Sequence, residues 1–210
     1  QELAQRRAEY ARTVAIDLTR RATNLREAWD PQGGNYVGEL SSAGAGSQTY
    51  STSQEALNAI SDAMFYVDKE VKDMKLARPT GLSDCVEDVC PGKVESRWAN
   101  RSLDHLRQNL VALQQLYLGG APDDADALGF HTLLRGMGAT ELADDMTTRI
   151  ADAIAAVDAV EGTMVEALEN DPQSVMDVYD ASKAITDLIK SQFFDVFDLE
   201  VPKRGEGDND

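Results

Sequence analysis

The sequence predicts an all-α fold, an antiparallel bundle of four to five helices. Three observations carry this: apolar residues recur at three- and four-residue steps along nearly the whole chain, no run alternates with period two for long enough to build a sheet, and helix start and stop signals separate the periodic stretches. With 210 residues and 42% apolar content, the chain has the material for a sizeable core.

Each element follows from its spacing. Leu3, Tyr10, Val14, Leu18, Leu25 and Trp29 form one stripe on a helix over 2–29, which stops before Pro31. Leu57, Ile60, Met64, Val67, Val71 and Met74 form the seam of a second, opened by a capping box of Thr52 with Glu55 and ending near Ala77, before Arg78 and Pro79. Leu103, Leu106, Leu110, Leu113 and Tyr117 mark a third, broken by "GGAP". A short amphipathic piece over 123–135 closes at "GMG". A fourth long helix over 140–169 turns Leu142, Met146, Ile150, Ile154, Val157, Met164 and Leu168 inward. Asp171 caps a fifth, with Pro172 at its favoured first position and Val175, Val178, Ile185, Ile189, Phe193 and Val196 completing the core. The organisation expected is one bundle over 1–200 and an acidic flexible tail over 201–210, which offers almost nothing apolar to bury. Two connections, 31–51 and 78–100, exceed what a minimal bundle needs, and any site is expected there.

The charge narrows the partners. A formal −17, from 37 acidic and 20 basic residues, repels nucleic acid and anionic membrane surfaces and attracts cations. No window has the ~18 uninterrupted apolar residues of a membrane span. Cys85 and Cys90, the only cysteines, lie in the turn-rich "SDCVEDVCPGK". Their spacing is not C-x-x-C and no second ligand pair accompanies them, so a small disulfide loop is expected rather than a zinc or redox site, and with it an oxidising compartment such as a periplasm.

Two histidines bound the chemistry. His131 is framed by glycines in "ALGFHTLLRGMG", but the residue three further on is Leu134, which ligates nothing; His105 has Gln108 and Asn109 at those spacings. Both are expected to be partly exposed helix-surface residues. G-x-S-x-G, H-E-x-x-H, the P-loop and G-x-G-x-x-G are all absent from the sequence.

The strings "KLARP" (75–79), "KVESRW" (93–98), "SLDHLRQNLVALQQLYLGG" (102–120) and "VYDASKAITDLIKSQF" (178–193) together resemble the imelysin-like family of bacterial cell-envelope proteins, also classed as M75 peptidases and linked in several members to iron uptake. The resemblance extends to "RRAEYARTVAIDLTRRATNLREAWDP", "GFHTLLRGMGATELADDM" and the "GDND" ending. It is to the second half of such a domain. The G-x-H-x-x-E motif that family members carry upstream is not in this sequence, and Gly129-x-His131 has Leu134 where the glutamate would stand. The resemblance implies an exported, periplasmic or envelope-associated binding module for iron or another ligand, lacking a complete catalytic site. The alternatives are a fragment of an M75 metallopeptidase and a structural bundle that docks a partner. It further implies that iron or another divalent metal belongs to a full-length protein and that a missing N-terminal half or second fragment is the partner. Lys75, Arg78, Glu95 and Ser96 are the expected ligand-binding residues, with Arg78 and Glu95 within reach of each other as a simple ion pair or as a cleft wall.

Overall fold

The structure, a computed structural model, describes residues 2–200. The described residues are helical and contain no strand. Residues 201–210, expected to be a flexible tail, lie outside them. The chain separates into two compact units, Gln1–Ala59 and Ile60–Asp210.

The first unit contains α1 (Glu2–Trp29), α2 (Tyr36–Ser41) and the start of α3 (Ser53–Met64). The 31–51 connection is a folded loop. Trp29 packs edge-on against Tyr36 with ring centroids 4.9 Å apart, and the Tyr36 and Tyr50 hydroxyls hydrogen-bond. The Glu39 carboxylate accepts from Ser47 Oγ at 2.7 Å and from the Gln48 and Thr49 amides at 2.8 and 3.0 Å. These bonds, that from Ser47 above all, hold its carboxyl below the usual range. The capping box forms as expected: Thr52 Oγ1 accepts from the Glu55 amide at 3.1 Å and the Glu55 carboxylate takes the Ser51 amide.

In the second unit, a π-helical segment Val67–Ala77, α4 (Ser102–Leu118), α6 (Thr140–Ala159) and α8 (Pro172–Leu188) form a ring in which each packs on two neighbours. Short elements complete it: a 3₁₀ turn Pro91–Lys93, α5 (Phe130–Gly136), α7 (Met164–Asn170), a second π segment Ile189–Phe193 and α9 (Phe194–Phe197). The expected helix over 140–169 is two, because Gly162 adopts φ 74° and Thr163 with Glu166 starts α7 through its own capping box. The 123–135 piece shortens to α5. Gly129 frames His131 for a packing reason: a Cβ there would lie 2.3 Å from the Leu118 carbonyl carbon, where the chain crosses the end of α4.

The largest departure is over 67–77. Its Arg78 amide reaches back five residues to the Asp73 carbonyl, as does Phe194 to Ile189 in the second π segment. At about 4.4 residues per turn the buried set becomes Val67, Asp68, Val71, Lys72, Leu76 and Ala77. Met74, expected inward at 3.6, is 47% exposed. Asp68 and Lys72 are 1% and 0% exposed; Lys190 of the second π segment lies 3.2 Å from Asp68 Oδ1, and Lys72 lies 3.4 Å from the same oxygen and 3.0 Å from Asp73. One end of the bundle is sealed by aromatic rings, with Phe193 fully buried and its centroid 5.1 Å from Phe130 and 5.0 Å from Phe197.

The Cys85–Cys90 disulfide is present, with Cα atoms 6.0 Å apart. Replacing both cysteines by serine should lower stability by about 2 kcal/mol, the loop-closure entropy of so short a ring. Urea unfolding of the variant checks this; an unchanged midpoint would show that the loop is held by its other contacts alone.

Candidate functional site

The 78–100 connection brings a polar cluster to one end of the π segment. Thr80 Oγ1 caps that end by donating to the Leu76 carbonyl at 2.7 Å. The Pro79 carbonyl accepts from the Cys90 amide at 2.8 Å, so the disulfide loop is pinned to the helix end. The chain then turns through Pro91–Lys93 and buries Val94. With Val94 anchored, Glu95 and Ser96 stand over Lys75 and the first turns of α4.

Lys75 Nζ donates to Asn109 Oδ1 at 2.8 Å, pairs with Glu95 Oε2 at 3.3 Å and lies 5.6 Å from the centre of the Tyr66 ring. The π geometry makes this contact. Nine residues apart, Tyr66 and Lys75 would stand on opposite faces of an α-helix; at about 4.4 residues per turn they share one. His105 completes the cluster, its Nδ1 3.1 Å from Ser96 Oγ and 3.9 Å from Glu95 Oε2. Lys75 keeps only 12% of its side chain exposed, whereas Glu95 and His105 are half open to solvent. Tyr66 and Asn109 also line an apolar groove of about 130 Å³, floored by Val67, Val71 and Leu113. That volume is well below the ~300 Å³ at which drug-sized pockets begin.

Three of the four expected residues therefore converge: Lys75, Glu95 and Ser96. Arg78 is different. Its guanidinium pairs with Asp84 at 2.9 Å, across the disulfide loop, and Lys75 is the cation on Glu95. The reason is local: Asp84 sits at φ 50° in the tight turn that returns the loop to the helix end. His105 was weighed from sequence only as a metal ligand and read as a helix-surface residue, and Asn109 and Tyr66 were not read as site residues. Their signal is spacing, His105 and Asn109 standing four apart on one face of α4, visible only once Glu95 is known to lie over it.

The hydroxyl, imidazole and carboxylate of the cluster are not arranged as a relay. Ser96 and Glu95 both approach the same ring nitrogen of His105, whereas a relay needs the hydroxyl and the carboxylate on opposite nitrogens. His131 is partly exposed on α5, with its Nδ1 buried without a hydrogen-bond partner and its ring 6.1 Å from Tyr117. Burial pushes the Tyr117 phenol up to about 12, and its hydroxyl donates to the Ala143 carbonyl at 3.0 Å, so the ring beside His131 belongs to the packed core. For a divalent ion the fit is poor: among the described residues no three His, Cys, Asp or Glu side chains gather, and Leu134 is fully buried. Nor is any described helix long and apolar enough to cross a membrane.

A family model, that of imelysin (peptidase M75), matches residues 1–192. No curated protein and no solved structure matches the chain.

Proposed function

The chain belongs to the imelysin family, and we propose that it is an exported, periplasmic or envelope-associated binding module that takes a small anionic ligand, in the service of iron uptake, at the Lys75, Glu95, Ser96 and His105 cluster, with Arg78 on the adjoining loop. The observation that carries this is the run of contacts from Asn109 through Lys75, Glu95 and His105 to Ser96 at the mouth of an apolar groove. Charge supports an anion. In a chain of −17, residues 93–107 carry four basic side chains (Lys93, Arg97, Arg101, Arg107) against two acidic ones, and Lys75 and Arg78 adjoin them. The disulfide fits an oxidising compartment. Iron enters this reading as cargo carried by an anionic chelate.

Trp98, 87% exposed with Arg97 stacked 4.2 Å over its ring, adjoins the cluster and supplies a reporter. In a Trp29→Phe background, citrate with and without ferric iron is titrated while Trp98 emission is followed. A saturable change is expected, favouring the ferric complex and weakened about tenfold or more by Lys75→Ala. Arg78→Ala should weaken binding more than folding, since its exposed pair with Asp84 contributes only ~0–1 kcal/mol. No response to either probe, or a Lys75→Ala variant that binds as tightly as the parent, would sink the reading.

A further inference from the structure

The groove beside Lys75 limits what the cluster can take. Its floor is made by buried apolar side chains, Val67 and Val71 of the π segment and Leu113 of α4, and the exposed Ala112 lines its edge. Tyr66 and Asn109 line it too, and both also touch Lys75, whose Nζ lies 5.6 Å from the Tyr66 ring centre and donates to Asn109 Oδ1. The groove is therefore apolar along its floor and opens beside a cation.

Size sets how much apolar matter fits. A cavity of about 150 Å³ walled by Leu, Ile and Phe holds one benzene ring. At about 130 Å³ this groove has room for a single six-membered ring and no second one. One ring is far short of the area that a docked helix or strand covers in a stable interface.

Lys75 sets the chemistry at the other end of the ligand. Its ammonium has three donors. Asn109 takes one at 2.8 Å, and Glu95 lies at 3.3 Å with about half of its side chain open to solvent. Glu95 is the partner that can leave, because it regains water on swinging outward, whereas Lys75, 12% exposed, cannot follow it. A ligand carboxylate takes the vacated place on the ammonium while its ring enters the groove. Asn109 accepts from Lys75 with Oδ1, so its amide NH2 is the donor for the second carboxylate oxygen.

We propose that this groove binds a single-ring monocarboxylate, its ring against Val71 and Leu113 and its carboxylate on Lys75 in place of Glu95. This names the ligand class for the anion site proposed above and rests on that reading. The test uses the full chain labelled on its valine and leucine methyls, titrated with benzoate, acetate, benzyl alcohol and citrate and followed by NMR. Benzoate is expected to shift the methyls of Val67, Val71 and Leu113 saturably. It should bind about tenfold or more tighter than acetate, which lacks the ring, and than benzyl alcohol, which lacks the charge. Lys75→Met should bring benzoate down to the level of benzyl alcohol, and Ala112→Phe, which fills the groove from an exposed position, should bring it down to the level of acetate. Glu95→Gln should strengthen benzoate severalfold by removing the internal competitor. The methyl spectrum of each variant reports that it is folded. Benzyl alcohol binding as tightly as benzoate overturns the proposal by assigning the groove to an uncharged side chain of another segment. Groove methyls that respond to no probe, an Ala112→Phe variant that keeps the preference for benzoate over acetate, or a Glu95→Gln variant that binds benzoate no tighter also overturn it. Citrate separates the two readings: citrate bound in a Lys75-dependent way with no preference for benzoate over acetate sinks this proposal alone, and no anion bound at all sinks both.

Discussion

Asp68→Asn should destabilise the second unit by about 3 kcal/mol, the scale on which breaking a buried ion pair is felt. The substitution keeps the shape and removes the charge that faces two cations, Lys72 at 3.4 Å and Lys190 at 3.2 Å. Lys190 retains a route to solvent; Lys72 does not, being wholly buried. Lys72 would keep Asp73 at 3.0 Å as its near carboxylate, which bounds the loss. Lys72→Met should cost a similar amount, and the double variant less than the two together, because removing both charges leaves neither stranded. Urea unfolding of the four proteins gives the coupling directly. Strictly additive losses would mean that the two charges do not depend on each other, and that the π register is held by apolar packing.

Phe193→Ala should cost about 3–5 kcal/mol. The ring has no exposed surface and lies among Phe130, Phe194 and Phe197, so truncation opens a cavity that three rigid neighbours cannot collapse into. Phe193→Leu keeps most of the volume and should lose less than about 1.5 kcal/mol. A Leu variant as unstable as the Ala variant would shift the explanation from cavity to ring geometry. Because Phe193 ends the second π segment, whose Lys190 reaches Asp68, a deeper loss than the cavity scale would show the two features acting together.

The sites recoverable from sequence were those with local causes. The Thr52–Glu55 capping box, the Cys85–Cys90 ring and the stop at "GGAP" each need only neighbouring residues, and each is present. The Thr163–Glu166 box was equally legible as "TMVE" after a glycine, and reading it would have divided the helix over 140–169 correctly. Of the candidate site, Lys75, Glu95 and Ser96 came from a resemblance in separate strings; that Arg78 would face Asp84 instead of Glu95 depends on how a disulfide-closed loop returns.

The sequence by itself determined the helical class, the elements of the ring and the short-range staples, because hydrophobic periodicity, caps and a six-residue disulfide ring act over a few residues. Only the tertiary structure decided the register of Val67–Ala77. A 3.6-residue repeat assigns Met74 to the core and leaves Asp68 and Lys72 on the polar side; the π-helix exchanges them, burying two charges that no propensity favours. Such a register survives because the partner that satisfies it, Lys190, comes from 122 residues further along, on a second π segment. The same change of pitch turns Lys75 towards Tyr66, Asn109 and Glu95, so the polar cluster exists only once helices distant in sequence have packed.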